Sequence, residues 1–87
     1  MVGGFNSNVN CNGRMYHVQT EDKGDVSGRF ETLVYLDGAI LATNSFPYGG
    51  MPEGMNGRDH LRRVMVEHHR EMIRRVETGE FAPADES

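Results

Sequence analysis

The stretch RDHLRRVMVEHHREMIRRVE, residues 58–77, decides the fold, because it is the one long helical signal in the chain. Its apolar residues recur at spacings of three, four and seven, as one face of an α-helix requires. They are Leu61, Val64, Met65, Met72 and Val76. The stretch has no Gly or Pro, and Arg, Glu, Met and Leu are good helix formers. It therefore predicts a helix over 58–78, with His68 inside the apolar face and His69 at its boundary.

The residues on either side of this helix predict where it begins and ends. Asn56 is a candidate N-cap, because its side chain can accept a hydrogen bond from a free backbone N–H of the first turn. Gly79 suits the left-handed position that often follows a helix. The acidic tail 79–87 contains a proline, and we expect it to fray while Phe81 docks back onto the domain.

Two β-hairpins are predicted upstream of the helix, over residues 5–46. Asn12-Gly13 separates two runs of strand-forming residues and is the best short signal for a type I′ turn. Asp37-Gly38 separates the next two runs in the same way. The sequence therefore predicts one α+β domain of order ββββα. Its two hairpins form an antiparallel four-stranded sheet, and its C-terminal helix packs on one face.

The first hairpin alternates as a half-buried sheet should. A two-residue turn places Asn8 opposite His17 and Val9 opposite Tyr16. One face then carries Phe5, Ser7, Val9, Cys11, Tyr16, Val18 and Thr20, and we expect it to pack in the core. The other face carries Asn6, Asn8, Asn10, Met15, His17 and Gln19. That second face is either a solvated surface or a recognition surface rich in amides.

The second hairpin is apolar on both faces near its turn. A two-residue turn pairs Tyr35 with Ile40 and Leu33 with Ala42, which places all four on one face. The opposite face carries Phe30, Val34, Leu36 and Leu41. Since a single helix covers only one face of a sheet, the other face is a candidate contact surface. The candidate partner-binding residues are Leu33, Tyr35, Ile40, Ala42, His17 and Asn8.

Two segments are predicted as loops. Residues 47–57, PYGGMPEGMNG, are rich in Gly and Met and predict a connection without regular structure. Residues 21–28, EDKGDVSG, are acidic and lack periodicity. We expect Asp22 and Asp25 of this loop, together with Glu31, to be solvated.

Composition limits the class of protein. A chain of 87 residues makes one small domain, and its lone Cys11 cannot form an internal disulfide, which fits a reducing cytoplasm. A net charge of −4 argues against a general nucleic-acid binder. No apolar run approaches the length that crosses a membrane, and no signal-peptide pattern follows the first residue.

The residue spacings predict no catalytic, metal-binding or cofactor-binding site. His68 and His69 diverge by about 100° on a helix, and His60 lies about two turns from His68, so these side chains do not share a metal ion easily. The hairpin places Cys11 and His17 on opposite faces, so they do not form a nucleophile–base pair. The alternative is a small-molecule or metal-binding domain that uses His17 and the 49–57 loop.

Four segments carry a resemblance to a known family: FNSNV at 5–9, GRMYHVQTED at 13–22, YLDGAILA at 35–42 and VEHHREMIRRVETGEF at 66–81. The chain resembles a small domain of Myxococcus- and Geobacter-like bacteria and is similar to the RomX-like polarity adaptors. The resemblance implies an adaptor in a protein assembly that engages a Ras-like motility GTPase, and it assigns no catalytic role. The 49–57 loop departs from the pattern.

The sequence thus predicts a non-enzymatic protein-interaction module of the bacterial cytoplasm. We expect it to form a homodimer or to belong to a larger assembly, because the doubly apolar second hairpin is more than one helix can cover. On this interpretation no cofactor, nucleic acid or membrane takes part, and a charge placed at Tyr35 or Ile40 disrupts association without unfolding the domain.

Overall fold

The computed structural model describes residues 3–24, 27–48 and 55–82. The elements are β1 (Gly4–Cys11), β2 (Arg14–Asp22), β3 (Arg29–Leu36), β4 (Ala39–Pro47) and α1 (Met55–Glu77). The strands form one antiparallel sheet in the order β1-β2-β3-β4. The helix α1 lies on one face of this sheet, against β1, β2 and β3. The predicted ββββα architecture is confirmed.

Both hairpins close with the turns that their sequences predict. Asn12 and Gly13 have φ values of 54° and 80°, and Asp37 and Gly38 have φ values of 52° and 81°. Positive φ at both central residues defines a type I′ turn, whose twist matches that of the flanking strands. In the first hairpin the predicted register is confirmed from end to end, from Gly4 opposite Glu21 to Cys11 opposite Arg14.

The core lies between the sheet and α1 and contains two neighbouring clusters. The larger cluster consists of Val9, Cys11, Tyr16, Val18, Val34, Met72 and Val76. The smaller cluster consists of Phe30, Leu61 and Met65. Burial of each large apolar side chain contributes about 1.5–3 kcal/mol, so the apolar face of α1 is the main attachment of the helix. Thr20 and Thr32 are fully buried among these residues and need hydrogen-bond partners.

The helix begins three residues earlier than predicted and ends one residue earlier, at Glu77. It starts at Met55, so Asn56 lies inside the first turn and its predicted role as N-cap is wrong. Beyond the C-terminus, Gly79 takes the left-handed conformation with a φ of 84°. Phe81 packs against the larger cluster, and the Tyr16 hydroxyl donates to the Phe81 carbonyl oxygen at 3.4 Å.

The predicted 47–57 loop is shorter than the sequence suggested. Pro47 is the last residue of β4, and residues 55–57 belong to the helix. The remainder of the glycine-rich segment, 49–54, lies outside the described residues. Within the described ranges, no helix has the combination of length and apolarity that crossing a membrane requires.

The second hairpin contains a β-bulge that corrects the predicted register. Tyr35 pairs with Ile40 as predicted, but Val34 then pairs with Ala42, which leaves Leu41 as the extra residue. One inserted residue moves every later side chain to the opposite face. Ala42 therefore lies on the helix side and packs against the larger core cluster. Its predicted place opposite Leu33 on the partner-binding face is wrong.

We expect Gly13→Ala to lower the free energy of unfolding by about 1 kcal/mol, because a Cβ strains the left-handed backbone that Gly13 adopts. Urea denaturation measures the change. Gly3→Ala is the matched control, since a Cβ at Gly3 meets no atom within 4 Å and its φ is not left-handed. Equal stability of the two variants would contradict a type I′ turn at Asn12-Gly13.

Candidate functional site

Four of the predicted partner-binding residues form a single row across the sheet. On the face opposite α1, Asn8 pairs with His17, His17 with Tyr35, and Tyr35 with Ile40. The His17 and Tyr35 rings lie 6.0 Å apart, centroid to centroid. Ile40 ends the row with 56% of its surface exposed. The antiparallel register therefore brings together residues that are up to 32 positions apart in the sequence.

Leu33 lies on the same face in the adjacent row, between Gln19 on β2 and Thr43 on β4. The name "outer patch" is used here for Asn8, His17, Leu33, Tyr35 and Ile40. Ala42, the sixth predicted residue, is excluded by the bulge. Met15 lies on the same face at the turn end of β2 and is 55% exposed.

Charged side chains lie beside the outer patch and not within it. The Lys23 ammonium group lies 3.4 Å from a Glu21 carboxylate oxygen and 3.6 Å from one of Glu31. The guanidinium of Arg29 lies 3.4 Å from Glu31. These pairs occupy the far end of β2 and β3, so the outer patch contains no Lys, Arg, Asp or Glu and its border carries both signs.

The two ring nitrogens of His17 both face amide oxygens. Nδ1 lies 3.0 Å from Asn8 Oδ1, and Nε2 lies 3.1 Å from Asn6 Oδ1. Both contacts are hydrogen bonds when the imidazole is protonated, because two donors then meet two acceptors. A neutral ring needs one of the amides to turn its NH₂ group inward. In either state His17 orders two asparagine side chains on the exposed face of β1.

A metal site at His17 finds no support in the described part of the chain. There, no group of three His, Cys, Asp or Glu side chains is placed to hold an ion. The other half of the alternative site, the 49–57 loop, lies outside the described residues from 49 to 54. Asn6 and Asn8 already occupy the two nitrogens that would bind a metal.

His69, and not His68, is the buried histidine of the helix, which corrects the sequence prediction. His69 is 6% exposed, while His68 lies at the margin with its ring centroid 3.8 Å from that of Phe46. The helical period of the sequence does fit a buried His69. His69 follows Met65 by four residues and precedes Met72 by three, so it belongs to the same stripe as those two buried side chains.

The imidazole of His69 connects three hydroxyl groups into one chain, which is buried at Thr20 and Thr32 and partly buried at Ser7. Its Nε2 lies 2.9 Å from Ser7 Oγ, and its Nδ1 lies 2.8 Å from Thr20 Oγ1. Thr20 Oγ1 is in turn 2.9 Å from Thr32 Oγ1. A neutral imidazole has one donor and one acceptor, so two hydroxyls satisfy it fully. Burial lowers the pKa of His69 below its usual value, and the charge of His17 across the sheet lowers it further.

A serine hydroxyl beside an imidazole nitrogen is also the geometry of an activated nucleophile. In such sites a third group, usually a carboxylate, orients the imidazole and stabilises its positive charge after proton transfer. Here Thr20, a neutral and fully buried hydroxyl, takes that position. The contacts of Ser7 and His69 therefore fit a structural role, in which they join α1 to β1 and β2.

Asp22 is buried, contrary to the prediction that its loop is solvated. It is 3% exposed. Its Oδ1 accepts hydrogen bonds from the Gly24 backbone N–H at 2.9 Å and from the Tyr48 hydroxyl at 2.6 Å. Asp22 thus connects the β2–β3 loop to the residue that follows β4. Asp25, the other acid predicted in this loop, lies outside the described residues.

Comparisons of the chain with models of protein families, with curated proteins and with solved structures find no match. What the structure defines is a class of architecture: a four-stranded antiparallel sheet with one helix on one face and a patch without Lys, Arg, Asp or Glu on the other. The resemblance to polarity adaptors stays a prediction.

We expect the free energy of unfolding to fall as the pH is lowered through about 6.5, the ordinary pKa of histidine in an unfolded chain. The pKa of His69 in the folded protein is lower. Between the two values the unfolded chain binds a proton that the folded protein excludes. Neutral His69 therefore makes its full contribution to the free energy of unfolding at pH values above its pKa in the unfolded chain. The contribution falls as the pH is lowered and stops falling below the pKa of His69 in the folded protein. Urea denaturation between about pH 5 and about pH 8 measures it.

The variant His69→Gln isolates this contribution, because it removes the titrating group from the core. The difference between its stability and that of the wild type should shrink as the pH falls. His60→Gln is the control, since His60 is exposed on the same helix and should leave the slope unchanged. Parallel pH curves for the wild type and His69→Gln would contradict the proposed burial of the neutral imidazole.

We expect Tyr48→Phe to lower the free energy of unfolding by about 1.5–3 kcal/mol, because it removes a hydrogen bond to the buried Asp22 carboxylate. Thermal and urea denaturation measure the loss. Tyr35→Phe is a matched control, since the same hydroxyl is removed from the solvent side of the sheet and should change stability by less than about 0.5 kcal/mol. If the two variants are equally stable, Tyr48 does not support Asp22.

Proposed function

We propose that this chain is a non-enzymatic adaptor module that binds a protein partner through the outer patch. The observation that carries the proposal is the one-sided position of α1. The helix covers one face of the sheet, and the other face keeps Leu33, Tyr35 and Ile40 together at the surface. Ile40 is 56% exposed, in a chain whose small size leaves it few apolar side chains to spare from the core.

The composition of the outer patch fits a protein interface better than an ordinary solvated face. Interface centres are depleted in charge and enriched in aromatic residues, and polar groups surround them. Tyr35 lies at the middle of the row, with an aliphatic residue on one side and His17 on the other. Asn8 adds an amide that can donate and accept hydrogen bonds. The Lys23 and Glu31 pairs form part of the charged border.

A protein partner fits this surface better than a nucleic acid. The net charge of the chain is −4, and the outer patch contains no Lys or Arg. Nucleic-acid binding depends on cations that replace the counterions of the phosphate backbone. The basic residues of α1 lie on the other side of the molecule and alternate with Glu67 and Glu71.

The narrower proposal places the module in a bacterial cytoplasmic regulatory assembly, such as a polarity or motility GTPase system. The resemblance of residues 5–81 to the RomX-like adaptors is its support. Of the resembling segments, 13–22 and 35–42 contribute His17, Tyr35 and Ile40 to the outer patch. A Ras-like GTPase of the same bacterium is therefore the first partner to test.

We expect Tyr35→Glu and Ile40→Glu to weaken partner binding at least about 100-fold while the domain stays folded, because each change buries a charge in the apolar part of the contact. The protein is immobilised and exposed to lysate of its native host, and the retained proteins are identified by mass spectrometry. Affinity for the purified partner, the Ras-like GTPase first, is then measured by calorimetry.

His60→Glu is the matched control, because it adds the same charge on the exposed side of α1. A genuine partner is retained by the wild type and by His60→Glu and is lost from both outer-patch variants. Circular dichroism and thermal melting establish that each variant is folded. A partner that binds all four proteins equally would place the interface elsewhere and contradict the proposal.

A further inference from the structure

The edge strand β1 lacks the features that usually prevent two sheets from joining. Among the described residues it pairs only with β2. Its sequence, GFNSNVNC, contains no charged residue and no proline, and its register with β2 has no bulge from Gly4 to Cys11. Charges, prolines and bulges are the common protections of a sheet edge. The opposite edge, β4, has two of them, the bulge at Leu41 and Pro47 at its end.

The exposed face of β1 is also self-complementary. Asn6, Asn8 and Asn10 lie on it at alternate positions, and all three are exposed. A carboxamide carries both a donor and an acceptor, so identical asparagines can bond each other across a strand pair, whereas identical charges repel. His17 contacts the side-chain amides of Asn6 and Asn8 at 3.1 Å and 3.0 Å, which orders both amides on this face.

We propose that β1 pairs antiparallel with β1 of a second copy of this chain, about a twofold axis at Asn8. In this register Asn8 faces its own equivalent, and Asn6 faces Asn10 of the second copy. On the helix side Ser7 faces Val9, and Phe5 faces Cys11. All three amides of each strand then meet amides, and β1 itself brings no charged residue into the pair. The product is a continuous sheet of eight strands.

Other antiparallel registers bring fewer of these groups together. An axis at Ser7 matches Asn6 with Asn8 and places Asn10 against Gly4. An axis at Val9 matches Asn8 with Asn10 and leaves Asn6 against the turn residue Asn12. The axis at Asn8 is the one near the middle of β1 that pairs all three exposed amides within the strand and aligns residues 5–11 along their full length.

This pairing places Asn8, one member of the outer patch, on the axis and leaves His17, Leu33, Tyr35 and Ile40 accessible. The twofold axis is perpendicular to the sheet, so both helices lie on one face and both outer patches lie on the other. The two patches become parts of one surface, with the paired asparagines between them. The inference thus goes beyond the proposed function: it assigns self-association to the β1 edge and leaves Tyr35 and Ile40 for the protein partner.

Cysteine cross-linking tests the register directly. In a Cys11→Ala background, Asn8→Cys places two thiols opposite each other on the axis, within the reach of a disulfide. We expect mild oxidation to convert it to a covalent dimer at least about 10-fold faster than Asn6→Cys alone. Asn6→Cys mixed with Asn10→Cys should recover the fast rate, because these two positions face each other.

Molar mass in solution tests the association itself. The wild type at about 100 μM should have twice the chain mass of 9.8 kDa. Asn8→Lys should be monomeric, because two ammonium groups then meet across the axis. Thr43→Lys, on the exposed strand β4, should stay dimeric, and thermal melting shows that both variants fold.

Three results would overturn the inference: a wild-type mass of 9.8 kDa, an Asn8→Lys variant that stays dimeric, or cross-linking of Asn6→Cys alone as fast as Asn8→Cys. None of these results depends on Tyr35 or Ile40, whose replacement tests the proposed function. Tyr35→Glu should lose the protein partner and keep the dimer mass, so failure of the edge pairing and failure of the proposed function give different outcomes.

Discussion

The buried hydrogen-bond chain from Ser7 through His69 to Thr20 and Thr32 determines how the helix lies on the sheet. Apolar contacts alone would tolerate a rotation of α1, because Leu, Met and Val side chains pack in many ways. A fully buried threonine does not tolerate the loss of its partner, which costs about 1–3 kcal/mol. The position of His69 opposite Thr20 therefore fixes the rotation of α1 about its axis. The same rotation directs the apolar stripe of the helix onto the sheet.

A helix in this position can cover only one face of the sheet. It lies against β1, β2 and β3, while β4 meets it through the contact of the Phe46 ring with His68 at its margin. The face that remains has to satisfy its own polar groups. It does so with the contacts of His17 to two asparagines and with ion pairs around Glu31. Tyr35 contacts the His17 ring on this face, and Ile40 beside it stays 56% exposed, which is why these two residues are central to the proposed interface.

The predictable part of this structure is the part encoded by short-range patterns. Asn-Gly and Asp-Gly turns specify two hairpins, and the 3.6-residue period specifies the helix. The bulge at Leu41 was not predictable, because either register satisfies the turn and only packing against the core favours Ala42 inward. The helical period alone does not show which of His68 and His69 is buried, because both fit an apolar stripe. Thr20 on the core face was the decisive clue, since a buried hydroxyl needs a partner.

The same bulge that removes Ala42 from the outer patch also distinguishes the two edges of the sheet. It twists β4 at Leu41, and Pro47 interrupts the backbone donors at the end of that strand. β1 has neither feature, because its register with β2 has no bulge from Gly4 to Cys11 and it contains no proline. A neutral edge strand without a bulge can pair with other chains and aggregate, and the proposed pairing with a second copy would cover it. The two proposals therefore place different contacts on different parts of the fold: pairing of identical chains at the β1 edge, and a different protein at Tyr35 and Ile40.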